Sequence, residues 1–179
     1  MIGVKSEPRI APSLKSVDQW LCWRMENENG SIRKVPVPIE STRWCNFTKQ
    51  SNWSSFNDAY EYWSESEIID GVGFCLTFDD DIAFIDLDNC YSIESDEIED
   101  WASSVLSKIN SYSEVSPSGT GIHIVAKGHL LQHGESTEQE IEIYDARKFM
   151  TFTGHHLEEC PKELKRRDDR LREITNRYL

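Results

Sequence analysis

Basic side chains are missing from the whole centre of this 179-residue sequence: no Lys, Arg or His stands between Lys49 and Lys108. With 32 acidic residues against 19 Lys and Arg, the net charge is -13. Such a surface excludes strong unaided attraction to a polynucleotide backbone over most of its area. The basic residues gather elsewhere, near Arg33, Lys34 and Arg43, at Arg147 and Lys148, and after Pro161. The five cysteines, Cys22, Cys45, Cys75, Cys90 and Cys160, include no CxxC pair, which excludes a zinc knuckle and a disulfide framework. Cys22, Cys75 and Cys90 sit in apolar surroundings and read as small buried hydrophobes. No apolar run approaches the length of a membrane span, and the N-terminus lacks the apolar core of a signal peptide. The expectation is a soluble, cytoplasmic protein with no membrane partner. Internal repeats and low-complexity tracts are also lacking.

What is present alternates between strand and helix signals. Extended segments are expected around residues 20–23, 34–38, 72–77 and 82–87, and again at 112–115, 122–126, 141–144 and 149–153. Ser55 with Asp58 three residues on resembles a capping box, opening a helix that presents Phe56, Ala59, Tyr60 and Trp63 on one face. From Ser95, the series Ile98, Trp101, Ala102, Val105, Leu106 and Ile109 recurs at helical spacing, with acidic residues in the first turn where the helix dipole favours them. A last helix is expected over 161–178. The order lacks the regular βαβ rhythm of a doubly wound fold, so the expectation is an α+β domain with a mainly antiparallel sheet. The organisation read from the sequence is a loose N-terminal arm over 1–15, one compact domain over 16–156 and a basic terminal helix over 157–179.

Three strings carry chemistry. Asp86 and Asp88 end the apolar run of residues 82–85, and strand alternation points both to one side, about 6–7 Å apart at the backbone. At that separation and an effective dielectric of 20 they repel by about 3 kcal/mol. A hard divalent cation relieves this, and Mg2+ completes its shell with phosphate oxygens. Residues 116–123, Ser-Pro-Ser-Gly-Thr-Gly-Ile-His, follow. Glycines flanking Thr120 let backbone approach a ligand, Ser116 and Ser118 add hydroxyls, and His123 would project from the next strand as a phosphate donor. Glu142 lies between Ile141 and Ile143; burying the isoleucines sends Glu142 to the opposite face. Each string also has a plainer reading: solvated aspartates, a hairpin turn, a hydrogen-bonded structural histidine and a paired surface carboxylate.

Taken in order, DLDN at 86–89, SPSGTGIHI at 116–124 and IEIYDARKFMTFTG at 141–154, preceded by GVGFCL at 71–76, resemble the primase-polymerase branch of the archaeo-eukaryotic primase superfamily. That branch is typical of phage and plasmid replication proteins. The resemblance extends upstream through Lys34-Val35-Pro36-Val37 and Trp53-Ser54-Ser55-Phe56 and covers residues 20–154. It implies an RRM-like catalytic sheet flanked by helices and a DNA primase or DNA polymerase activity. It implies that Asp86, Asp88 and Glu142 hold Mg2+ or Mn2+ and that His123 contacts an incoming nucleoside triphosphate. Phosphate contacts fall on Ser116, Ser118 and Gly119, and Arg147 and Lys148 lie in a basic stretch that would neutralise the triphosphate. Asp145 is the second choice for the third acid. The implied partners are nucleoside triphosphates, a single-stranded DNA template or primer-template, and a helicase or other replication protein.

No P-loop or zinc element accompanies these strings, so the expectation is a fragment or a stand-alone subunit. The basic residues Lys165, Arg166, Arg167, Arg170 and Arg172 are the evident candidates for contact with a polynucleotide. Two alternatives stand beside this reading. One is a nucleotide-binding replication accessory that has lost efficient synthesis. The other is a DNA-nicking initiator using Tyr144, although the HxH metal motif that such enzymes resemble is absent.

Overall fold

In the computed structural model, which describes residues 6–132, 134–136 and 140–179, the alternating runs become two packed antiparallel sheets. One is four-stranded, in the order β11-β3-β1-β2, with β1 at Trp20–Glu28, β2 at Ser31–Val37, β3 at Gly71–Leu76 and β11 at Lys148–Phe152. The other is five-stranded, in the order β7-β8-β4-β10-β9. It contains β4 (Ile82–Leu87), β7 (Tyr112–Val115), β8 (Ile122–Lys127), β9 (Gly134–Ser136) and β10 (Ile141–Tyr144). A small hairpin of β5 (Tyr91–Ser92) and β6 (Glu97–Ile98) stands apart. The helices are α1 (Pro12–Lys15), α2 (Phe56–Glu65), α3 (Asp100–Ile109) and α4 (Asp168–Tyr178). The architecture is the α+β, mainly antiparallel fold expected from the sequence.

Ser55 caps α2, its Oγ accepting the Asp58 N–H at 3.1 Å, as the capping-box spacing implies. Because β4 and β7 both run antiparallel to β8, they are parallel to each other. With α3 as the crossover this makes a split βαβ unit. The alternation in the five-stranded sheet then sorts its side chains. Ala83, Ile85, Leu87, Ile122, Ile124, Ile141 and Ile143 pack with α3 and α4. Phe84, Tyr112 and Val125 turn the other way and join Trp20, Phe74, Met150 and Phe152 between the sheets. Trp20 meets Phe56, Phe74 and Phe152 edge-on, with ring centroids 5.1–5.5 Å apart.

Three expectations are corrected. The segment taken as a loose arm is docked where it is described: Ile10, Ala11 and Leu14 are buried, and the Arg9 N–H donates to the Gly154 carbonyl at 3.2 Å. Helix α3 starts at Asp100 rather than Ser95, because 91–98 folds into the β5–β6 hairpin with Asp96 at positive φ. Helix α4 starts at Asp168 rather than near Pro161. Residues 165–167 instead run beside β8, Lys127 N–H donating to the Lys165 carbonyl and Arg167 N–H to the Lys127 carbonyl.

The two sheets are tied at one end by Glu114 of β7, whose side chain is fully buried. Its Oε1 accepts the Thr153 N–H at 2.9 Å, and its Oε2 accepts the Gly154 N–H at 2.9 Å and the Tyr112 hydroxyl at 2.7 Å. A carboxylate withdrawn from water is tolerable only with such partners. Gly154 sits at φ +66, and a Cβ there would run into Pro8 and the Arg9 backbone. Glu114→Ala is therefore expected to lower unfolding stability by about 3–5 kcal/mol in urea titrations, since it strands buried donors. Gly154→Ala should cost about 1–3 kcal/mol and expose residues 6–15 to limited proteolysis; unchanged cleavage would disprove the docking role.

Candidate active site

Strand register assembles the site. Reading across the five-stranded sheet, Glu114 of β7 is paired with His123 of β8, His123 with Asp86 of β4, Asp86 with Glu142 of β10, and Glu142 with Glu135 of β9. Cross-strand partners place their Cβ atoms about 5 Å apart on the same face, so these five form one lateral row. The row lies on the face turned to the four-stranded sheet. It takes over where the apolar layer of Phe84, Tyr112 and Val125 ends.

His123 is the row's buried centre. Its Nδ1 lies 3.3 Å from Glu114 Oε1, its Nε2 lies 3.5 Å from Asp86 Oδ1, and its ring is tilted over Phe84 with centroids 4.9 Å apart. Burial by itself would depress the imidazole pKa, but the Asp86 and Glu114 carboxylates outweigh it and hold it above the ordinary histidine value. Asp86 is half-buried, and its Oδ1 has no hydrogen-bond partner.

Asp88, one step along the same face, stays exposed at the end of the sheet. Partial desolvation first, then the neighbouring Asp86 and Glu142 carboxylates, push its pKa up, against the pull of His123 and Lys34. Negative charge is thus in excess at this point. A buried carboxylate oxygen that accepts no hydrogen bond, beside a second carboxylate whose ionisation is opposed, is a donor set that suits a hard divalent cation. Glu142 shares the face, but its Oε2 accepts from Lys148 Nζ at 2.8 Å. Among the described residues no three His, Cys, Asp or Glu side chains are drawn together into a closed ligand group. The arrangement is an open pair, Asp86 and Asp88, with Glu142 alongside and held by Lys148.

The loop of residues 116–121 closes against the end of β4. Ser116 N–H donates to the Gly121 carbonyl at 2.9 Å, and the Thr120 carbonyl accepts from Cys90 and Tyr91 N–H. Gly121 needs its lack of a side chain, because a Cβ would lie 2.6 Å from the Leu87 carbonyl oxygen and 3.5 Å from Asp88 Cα. The hydroxyls of Ser116, Ser118 and Thr120 form a chain, 2.8 Å and then 3.1 Å between oxygens, and Gly119 turns at φ +77. The hydroxyl loop therefore borders Asp88.

The basic stretch divides. Lys148 reaches the row through Glu142 and lies 4.0 Å from the Tyr144 ring centroid. Burial works against its ammonium, but Glu142 and Tyr144 more than compensate and raise its pKa. Arg147 turns away at φ +52 and stacks over Phe78. Asp145 also faces elsewhere, its Oδ2 accepting the Leu130 N–H at 3.0 Å. The Tyr144 hydroxyl donates to Glu135 at 2.8 Å.

Two contributors escaped the reading of the sequence. Glu114 anchors His123, and the signal for it was available: closing the hairpin between Ser116 and Gly121 pairs Val115 with Ile122 and Glu114 with His123. Lys34, from the other sheet, bears electrostatically on both Asp88 and His123. No pattern along the chain announces that influence.

No family model matches the sequence. A curated protein named DNA primase-polymerase, from Nitratiruptor phage NrS-1, is 29% identical over 155 residues, covering 80% of this chain. The chain spans only 20% of the length of that relative. Over most of its own length the chain is thus related to a segment of a phage DNA primase-polymerase, in agreement with the resemblance carried by its DLDN, SPSGTGIHI and IEIY strings.

Proposed function

We propose that this chain is a nucleotidyl-transfer domain that adds nucleotides to a primer or initiating nucleotide on a single-stranded DNA template, releasing pyrophosphate. The observation that carries this reading is the row in which Asp86 lies between His123 and Glu142, with Asp88 beside the hydroxyl loop. The reaction is in-line attack of a 3′-hydroxyl on the α-phosphate of a nucleoside triphosphate. Little covalent work falls to the protein, and positioning and electrostatics dominate.

Asp86 and Asp88, with Glu142 as the third acid, would hold Mg2+ or Mn2+. The metal's contribution, when bound, is to lower the pKa of the attacking hydroxyl and to stabilise charge on the attacking and leaving oxygens. His123 donates from Nε2 to a phosphate oxygen and cannot swing away, because Glu114 holds its other nitrogen. Ser116, Ser118 and the Gly119 backbone line the approach of the triphosphate. Lys148 keeps Glu142 in place and brings positive charge to the same side. The membrane plays no part in this reading, and among the described residues no helix is long and apolar enough to cross one.

Asp86→Asn and Asp88→Asn should each reduce template-dependent incorporation of labelled nucleotides more than about 100-fold while leaving the circular dichroism spectrum unchanged. Retained synthesis in either variant would sink the proposal. Mg2+ or Mn2+ at about 100 times its Kd should raise the Tm of the native chain by roughly 5–10 °C, and Asp86→Asn should abolish that shift. Glu142's engagement with Lys148 favours one second reading, a nucleotide-binding accessory. It would show metal-dependent nucleotide binding with no product in the same assay.

A further inference from the structure

A carboxylate row needs a polyanion brought to it, and most of the basic groups that the sequence offers for this are engaged within the fold. Arg166 pairs with Asp81 and Asp168, and Arg172 with Asp169. Arg167 and Arg170 donate to the carbonyls of Ile109, Asn110 and Lys108 at the C-terminal end of α3. Lys148 holds Glu142, and Arg147 stacks on Phe78.

The edge of the four-stranded sheet is different. Residues 24–49 carry five basic and three acidic side chains, in a chain of net charge -13. Glu26 is tied to Arg24, and Glu28 to Arg33. Lys34 and Arg43 make no ion pair among the described residues. The loop after β2 is fastened back onto β2 and β1, Cys45 N–H donating to the Pro36 carbonyl at 3.0 Å and Arg24 Nε to the Thr42 carbonyl at 2.7 Å. Cys45 is buried, yet its neighbour Trp44 is 66% exposed. A large indole is therefore held in water on a fixed backbone. With Glu26, Arg33, Lys34, Val35 and Pro36 it lines an open cavity of about 390 Å³.

We propose that this edge of the sheet, with Trp44 as the stacking platform and Lys34 and Arg43 as phosphate contacts, is where single-stranded nucleic acid docks on its way to the Asp86–Asp88 site. An exposed aromatic ring beside cationic side chains is how sequence-tolerant single-strand binding is built, each base stacking on a ring while the backbone follows the positive charge. Lys34 belongs both to this cavity and to the charges that act on Asp88 and His123. Pairing of a protein strand to this edge is disfavoured. Pro36 lacks an N–H, and the charged Arg33 and Lys34 guard β2 in the way that edge strands are usually protected.

This inference rests on the nucleotidyl-transfer reading for its direction, and its test separates the two. Fluorescence anisotropy of a labelled oligothymidylate should show salt-dependent binding by the full chain. Trp44→Ala, whose side chain is exposed and whose fold is checked by urea unfolding, should weaken that binding about tenfold or more at every salt concentration. Its Mg2+-dependent binding of a nucleoside triphosphate should be unchanged. Lys34→Ala should lower the slope of log affinity against log salt by about 0.7. If the protein incorporates no nucleotide but binds the oligonucleotide through Trp44, the activity reading fails and the docking surface stands. If it incorporates nucleotides while both variants bind the oligonucleotide as the native chain does, the docking surface is overturned. The docking surface is equally overturned if the native chain does not bind the oligonucleotide and instead self-associates in a Trp44-dependent way by sedimentation.

Discussion

The whole candidate site depends on the antiparallel register of β7, β8, β4 and β10. Because each residue faces its cross-strand partner, a single alignment sets Glu114 beside His123, His123 beside Asp86, and Asp86 beside Glu142. A slip of one residue in any pair would carry that strand's charged side chains into the helix-covered layer and its isoleucines into the site. The register is held by the opposite face. Ile85, Ile124 and Ile143 are adjacent across β4, β8 and β10, and all are buried under α3 and α4. The core that stabilises the sheet and the row of the candidate site are thus two faces of one alignment.

Charge is managed by distance and by pairing. His123 and Glu114 stand together out of water, and Glu114 is satisfied by two backbone N–H groups and the Tyr112 hydroxyl. The same backbone stretch, Thr153 and Gly154, receives the N-terminal segment through Arg9. The histidine at the site is therefore connected to the docking of residues 8–15 through one buried carboxylate. Toward solvent the arrangement reverses: Asp86 keeps an oxygen without a hydrogen bond, and Asp88 is exposed and crowded by like charge. Stability is concentrated behind the histidine, and unmet electrostatic demand lies in front of it.

Much of the fold was legible because its signals are local. Strands at 82–87, 112–115 and 141–144 follow from apolar alternation and short turn residues, and the Ser55–Asp58 cap marks the start of α2. The misread ends were those where tertiary contacts override local preference. Residues 95–99 have helical spacing but are drawn into a hairpin with Tyr91, whose hydroxyl donates to Asp96 at 2.7 Å. Residues 165–167 are taken as an extended run by Lys127 before α4 begins. The terminal basic cluster reads along the chain as a surface for a polyanion, yet in space it caps α3 and neutralises nearby aspartates.

By itself the sequence determined which residues share a face: a period of two sends Asp86 and Asp88 together, Glu142 away from its isoleucines, and the Ser116–Gly121 turn between paired strands. Tertiary structure alone decided which of those faces meet. It joined Glu114 to Thr153 and Gly154, set Lys148 on Glu142, turned Arg147 aside to Phe78, and brought Lys34 within electrostatic reach of Asp88. The physical reason is that alternation is imposed by the bonds of one strand, whereas the approach of two sheets is set by how Trp20, Phe74, Phe84 and Phe152 pack between them.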